Sequence, residues 1–326
     1  MKKIRWGIAG PGGIARKFGE AIGNVSEAEL CAVASTSKER AEKFAGEFNV
    51  PNVFSSYEDM AKSDCVDAVY ISTAHPFHKP CAEIFIKNRK HVLCEKPICV
   101  NTKQAEELST LAKTYGVFLM EAMWTRFLPA IEKMKEFIAL GEIGEVMSLS
   151  ADFCYNIEYD EDPKVFENSL AGGALLDVGV YTLHFASEIF GKDAEKIFSM
   201  ANEACGVDCH TQMLLGYRGG KSAALSCATK LEKPADAYIY GTDGAIHIPD
   251  FYKADRLVIQ KNGAKQTILC PYDGNGFEGE IREACICINN GALESKTVPH
   301  SESIAIMKQM DIIRHQIGVV YPFDNM

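Results

Sequence analysis

The apolar run Ile4–Ala9 passes directly into Gly10-Pro11-Gly12-Gly13-Ile14-Ala15. This G-x-G-x-x-A pattern lies between a strand-like and a helix-like segment, the setting a dinucleotide-binding turn requires. Each position has a mechanical reason. Gly10 permits the tight turn, Gly12 lets backbone approach a pyrophosphate, and Ala15 is small enough for helix and strand to pack closely. The helix that opens here offers unpaired N–H groups and a positive dipole end to phosphate. Alone, so short a pattern also fits an ordinary turn, so its surroundings decide.

Those surroundings alternate. Leu30–Ala34, Ala68–Ser72, His91–Cys94 and Val117–Met120 read as buried strands. Gly13–Ile22, Ser37–Phe48, Phe77–Asn88 and Thr102–Tyr115 read as helices, with Ser37 as an N-cap. That rhythm gives a parallel, doubly wound α/β sheet. After Ala122 it changes. Helices are expected over Phe127–Leu140 and Gly173–Phe190, then successive strands from Lys196 to Leu269 broken at Gly219-Gly220, Thr242-Asp243-Gly244 and Asn262-Gly263. Those dipeptides are hairpin-turn chemistry, so an open, mostly antiparallel sheet follows, covered by helices near 277–290 and 303–317. A chain of 326 residues exceeds one ordinary core. The expected division is a nucleotide-binding domain at 1–122 and an α+β domain for substrate and oligomerisation at 123–326.

The net charge of −10 argues against nucleic acid or an anionic membrane surface as partner. No apolar run reaches the length of a membrane span, and the start has no signal-like apolar region. The twelve cysteines include no C-x-x-C and no zinc-like spacing, so buried reduced thiols and no metal are expected. Such usage fits a cytoplasmic protein.

The second strand ends in Ala34-Ser35-Thr36-Ser37-Lys38, without the acid that an NAD-selective site places on the ribose. Hydroxyls with Lys38 suit the 2′-phosphate of NADP better, with NAD as the other possibility. The plain alternative is a helix cap and a solvated lysine. Cys94-Glu95-Lys96-Pro97 follows an apolar strand, at the edge where open α/β sheets present ligands. Lys96 there suits a substrate oxygen and a developing alkoxide, or else is a surface lysine. Asp177, Tyr181 and His184 have spacings of four and three, which share one helix face. They form a proton-handling set, with Tyr181 as donor to a carbonyl; the alternative is a buried Tyr bonded to Asp.

In these motifs the chain resembles the glucose–fructose oxidoreductase/inositol dehydrogenase (Gfo/Idh/MocA) family from end to end. Thr73-Ala74-His75-Pro76-Phe77-His78 and Glu121-Ala122-Met123-Trp124-Thr125-Arg126-Phe127 are similar to its dimeric dihydrodiol dehydrogenase and NADP-dependent xylose dehydrogenase branch. The resemblance implies a Rossmann domain and an open-sheet domain through which members often form homodimers. It implies an aldose, cyclic polyol, dihydrodiol or carbonyl substrate, with Lys96 positioning it and Tyr181, beside Asp177, as general acid/base. It also places Thr73, His75, His78, Glu95, Trp124 and Arg126 around cofactor or substrate. Inositol-dehydrogenase-like members carry Asp-x-x-x-His-x-x-Asp on this helix; here Tyr181 and His184 stand instead. NADP users of the family often have Arg where this chain has Lys38. A dinucleotide-sensing regulator of the same fold is the alternative, and retention of both Lys96 and Tyr181 argues against it. Substrate choice is expected from Phe153, Tyr155, Asn156 and the loop near 160–166, while Phe251, Tyr252 and Phe277 suit core or pocket equally.

Overall fold

The computed structural model describes residues 2–324. The chain divides into two compact units, Met1–Trp124 with Asp273–Ile304, and Thr125–Tyr272 with Ala305–Met326. A single cut near residue 122 assigns 273–304 to the second domain, whereas that segment packs with the first unit.

The first unit is built on a parallel sheet of β1 (Ile4–Ala9), β2 (Ala28–Ala34), β3 (Asn52–Phe54), β4 (Ala68–Ile71), β5 (His91–Glu95) and β6 (Leu119–Ala122). Its strand order is β3-β2-β1-β4-β5-β6. Helices α1 (Gly13–Ile22), α2 (Lys38–Phe48), α3 (Tyr57–Lys62), α4 (His78–Lys87) and α5 (Thr102–Tyr115) follow successive strands. Every residue of β4 and β6 is buried, as expected of strands covered on both faces. Ser37 caps α2 by accepting from Arg40 N at 3.4 Å, as its sequence position predicts. The order reverses between β1 and β4, and a doubly wound sheet opens its ligand crevice at the carboxyl ends there.

The second unit carries α6 (Pro129–Ala139), β7 (Val146–Cys154) and a continuous helical stretch. That stretch begins as a π-helical turn, Leu175–Gly179, and continues as α7 (Val180–Phe190). The strands β8 (Lys196–Ala204), β9 (Val207–Gly216), β10 (Ser222–Ala228), β11 (Ala237–Gly241), β12 (Ala245–Ile248), β13 (Arg256–Lys261) and β14 (Ala264–Leu269) complete an eight-stranded sheet with β7. All its pairs are antiparallel except β7 with β10. The chain ends with α8 (Glu278–Asn289), in the first unit, and α9 (His300–Ile317). Ten of the twelve thiols are buried. Among the described residues no helix is long and apolar enough to cross a membrane.

Candidate active site

Gly10 has φ +91°, and a side-chain carbon there would meet the Ser72 carbonyl group and Thr73 Cγ2 at 3.1 Å. The end of β1 is therefore pressed against the end of β4, and only glycine fits. Ser72 Oγ donates to Gly10 O at 2.9 Å and closes the contact. Next, α1 starts at Gly12 with no side-chain cap and no acid in its first turn. A side-chain carbon at Gly13 would touch nothing, and one at Gly12 only Gly10 O at 4.0 Å. The first-turn amides thus face open room. Thr73 Oγ1 beside them is buried and has no hydrogen-bond partner. Uncapped amides, an orphan hydroxyl and a backbone cradle together fit a dinucleotide phosphate.

At the end of β2, Ser35 is buried and its Oγ accepts from Ser37 N at 3.1 Å. Thr36 is exposed, and Lys38 meets Glu42 at 3.5 Å while 73% exposed. Exposed pairs of this kind hold little energy, so the ammonium can swing to another anion.

Lys96 follows β5 and is half-buried. The Lys96–Pro97 peptide is cis. His78 Nδ1 lies 2.8 Å from Pro97 O and Nε2 lies 3.0 Å from Thr73 O. Burial pushes this imidazole down to about 4. The ring is expected among the cofactor contacts; both its nitrogens face backbone carbonyls, of the loop after β4 and the loop after β5, and the neutral ring donates its single N–H to one of them. From β6, Glu121 accepts from Ile98 N at 2.9 Å and from Ser303 Oγ at 2.5 Å. His75 is half-buried beside His78, and Trp124 stacks on Phe277 with centroids 5.1 Å apart.

Glu95 belongs to a buried acid cluster. Tyr70 OH donates to its Oε1, and burial raises its carboxyl to about 7. Glu280, from the first turn of α8, is fully buried, and neither carboxylate oxygen has a partner. Burial raises it well above the carboxylate range, and the charge of Glu95 adds to the effect. An unpaired buried carboxylate is too costly to keep, so Glu280 carries a proton at neutral pH. Sequence reading missed His78 as a clamp and missed Glu280 altogether. The signal for Glu280 was available: it falls four residues before Ala284, on the buried stripe of α8.

In the second unit Asp177 accepts from Tyr155 OH at 2.5 Å. Burial, then the Asp177 charge, pushes the Tyr155 phenol up. The π turn gives way to α7 between Asp177 and Tyr181, so the expected α-helical spacing of four does not run unbroken between them. Tyr181 is buried, 5.3 Å by ring centroid from Phe153, which itself stacks on Tyr252 at 4.3 Å. Phe251 and Phe277 are core, each 1% exposed. Arg126 is buried against α7, with Nη1 3.0 Å from Glu188 and Nη2 donating to His184 O at 3.1 Å. Its charge is matched by Glu188, whose side chain is itself 8% exposed.

The fold and the cradle define a dinucleotide-dependent enzyme of the doubly wound class. Residues 4–123 match an oxidoreductase family with an NAD-binding Rossmann fold, and residues 131–247 match the GFO/IDH/MocA C-terminal domain. The trans-1,2-dihydrobenzene-1,2-diol dehydrogenase of Mus musculus is 36% identical over 337 residues, covering 99% of each chain. The scyllo-inositol 2-dehydrogenase (NADP(+)) of Bacillus subtilis (strain 168) is 35% identical over 329 residues, again covering 99% of each. Among solved structures, a 3-ketoreductase from Actinomadura kijaniata in complex with NADP and TDP-benzene superposes with TM-score 0.89 at 25% identity, covering 97% of this chain and 98% of that one. The chain belongs to the Gfo/Idh/MocA family and is an NAD(P)-dependent dehydrogenase or reductase.

The acid cluster has a pH signature. The folded chain keeps a proton on Glu280 that the unfolded chain releases near its ordinary value of 4.5. Above that pH the native state binds more protons than the unfolded one, so Glu280 withdraws stability as pH rises. In Glu280→Gln this loss disappears, and the variant's Tm relative to the parent climbs as pH rises from about 5 towards neutrality. A Tm difference that stays constant across that range contradicts a protonated Glu280.

Proposed function

We propose that the protein is an NADP-preferring dehydrogenase that moves hydride between the nicotinamide and a hydroxyl or carbonyl carbon of an aldose, cyclic polyol or dihydrodiol. The observation that carries this reading is one sheet edge. The uncapped start of α1, the Ser35–Lys38 strand end, the orphan Thr73 hydroxyl and Lys96 all follow the carboxyl ends of parallel strands. The relatives' substrates, a dihydrodiol and an inositol, support the substrate class.

In this reading Gly10, Pro11, Gly12, Gly13, Ile14 and Ala15 hold the pyrophosphate. Ser35, Thr36, Ser37 and Lys38 receive the adenosine ribose and its 2′-phosphate. Thr73, His75, Glu95 and Trp124 line the remaining approach, and His78 and Arg126 complete the set assigned to the cofactor. When bound, the nicotinamide supplies the two-electron acceptor or donor. Lys96 orients the substrate oxygen and stabilises negative charge on it. Tyr181 takes the hydroxyl proton during oxidation and returns it during reduction. Asp177 and Tyr155 anchor the substrate's neighbouring hydroxyl, and the Phe153–Tyr252 stack covers an apolar ring face. The partner is a second copy of the chain, docked on the open sheet face that exposes Phe198 at 63%, Met200 at 69% and Leu214 at 49%.

Lys96→Ala and Tyr181→Phe should each lower kcat by about 10² or more in an NADP-reduction assay over scyllo-inositol, D-xylose and trans-1,2-dihydrobenzene-1,2-diol. Near-parental turnover in both variants would sink the catalytic assignment. Lys38→Ala should raise the Kd for NADP about tenfold by fluorescence titration and barely alter that for NAD; equal changes remove the case for NADP. Replacing both Phe198 and Met200 by Glu should convert a sedimenting dimer to monomer, and an unchanged sedimentation coefficient refutes that interface.

A further inference from the structure

The helical stretch that bears Asp177 and Tyr181 is held at its amino end by a residue that follows it by a whole strand. The chain enters through Gly172 and Gly173, where Gly173 N donates to Val165 O at 2.7 Å and Tyr321 OH donates to Gly172 O. The first helical bond runs from Asp177 N to Gly173 O at 3.2 Å. The amide of Leu175 lies inside that first turn and has no acceptor within the helix. Asp208, on β9, supplies one. Its Oδ2 accepts from Leu175 N at 2.8 Å and from Thr211 Oγ1 at 2.7 Å.

Asp208 is fully buried, and its second oxygen, Oδ1, has no partner. A carboxylate so placed is costly by itself, so the fold keeps it for what it fixes. Gly173, with φ +113°, fits the same contact: a side-chain carbon there would collide with Asp208 Oδ1 and lie 3.3 Å from Tyr321 OH. Further along, Gly179 brings the stretch close to β10, where a side-chain carbon would meet Cys227 Sγ at 2.9 Å. The helix is thus keyed to β9 at Asp208 and to β10 at Gly179, on either side of Asp177.

We propose that Asp208 is a positioning residue for catalysis: its carboxylate caps the π turn from β9 and sets where Asp177 and Tyr181 stand. The inference rests on the catalytic reading of Tyr181. A negative charge at a helix amino end is favoured by the dipole, and the bond to Leu175 N is strongest when Asp208 is ionised. Burial lifts this carboxyl to about 6, against the bonds from Thr211 and Leu175 N and the Arg314 charge that lower it. The other titratable groups facing it keep one charge state across that range. Arg314 is raised and paired with Asp311 at 2.6 Å and Asp324 at 2.7 Å. Tyr321, Cys209 and Cys227 are all pushed up by burial and stay neutral. Positioning therefore sets in as pH rises through about 6 and is lost as pH falls through it.

The test uses the full-length protein with NADP and whichever of scyllo-inositol, D-xylose and trans-1,2-dihydrobenzene-1,2-diol it oxidises. Asp208→Asn should lower kcat about tenfold at pH 8 while KM changes less than about twofold, since placement and not affinity is lost. Thr211→Val leaves the carboxylate but removes a bond to its charged form. The acid limb of the kcat profile should then move to higher pH with the rate at pH 8 preserved. A purely structural role moves stability without moving that limb. An acid limb unmoved in Thr211→Val overturns the proposal, and this variant decides the matter if Asp208→Asn does not fold. Tyr181→Phe is run alongside. Normal rates in that variant defeat the catalytic reading itself. A slowed Tyr181→Phe with an unmoved Thr211→Val limb defeats the positioning claim alone.

Discussion

The contact between Gly10 and the end of β4 has no room for a side-chain carbon, since Ser72 backbone and Thr73 already stand at 3.1 Å. It forces β1 and β4 to finish level at the point where the strand order reverses. Everything else on that edge inherits its position from this closure. The amides of α1 open immediately after it, Thr73 brings its hydroxyl beside them, and His78 carries the constraint across to Pro97. The loop that carries Lys96 is thereby held through Pro97.

The sequence pattern carried the fold well where elements were long or sharply bounded. Thr102–Tyr115 and Gly13–Ile22 have the expected limits because an Asn or Gly precedes each and a Gly follows. The short β3 and α3 left no periodic signal, with three and six residues respectively. β7 was missed although it lies at the centre of its sheet, because half-buried residues break its alternation. The return of 273–304 to the first unit was equally invisible. No composition change marks it, and it depends on tertiary contacts such as Asn24 with Glu278 at 3.1 Å.

Candidate site residues divide along the same line. The glycine loop was legible because backbone geometry alone restricts which residues fit. His78 and Arg126 were legible as noteworthy residues but not in their partners, which are Pro97 O and Glu188, groups that no spacing rule connects to them; Glu121, which accepts from Ile98 N, was not singled out. The bond from Tyr155 to Asp177 joins the end of a strand to a helix 22 residues on. Such pairings are set by how elements dock, and side-chain spacing within one helix says nothing about them.

Asp208 and Glu280 show how the same burial yields opposite charge states. Both are fully buried acids with unpartnered oxygen. Asp208 receives an amide and a hydroxyl on its other oxygen and has the Arg314 charge in reach, which keeps it near 6. Glu280 receives no bond on either oxygen, and its charged neighbour is another acid, so it is pushed far higher. Desolvation is common to the two, so the difference must come from donors and sign of neighbouring charge. One acid is thereby ionised when the enzyme works near neutrality and can act as a helix cap. The other is a neutral, proton-bearing group in the cluster with Glu95. A carboxyl's role in this fold therefore follows from counting its donors, and burial by itself predicts neither.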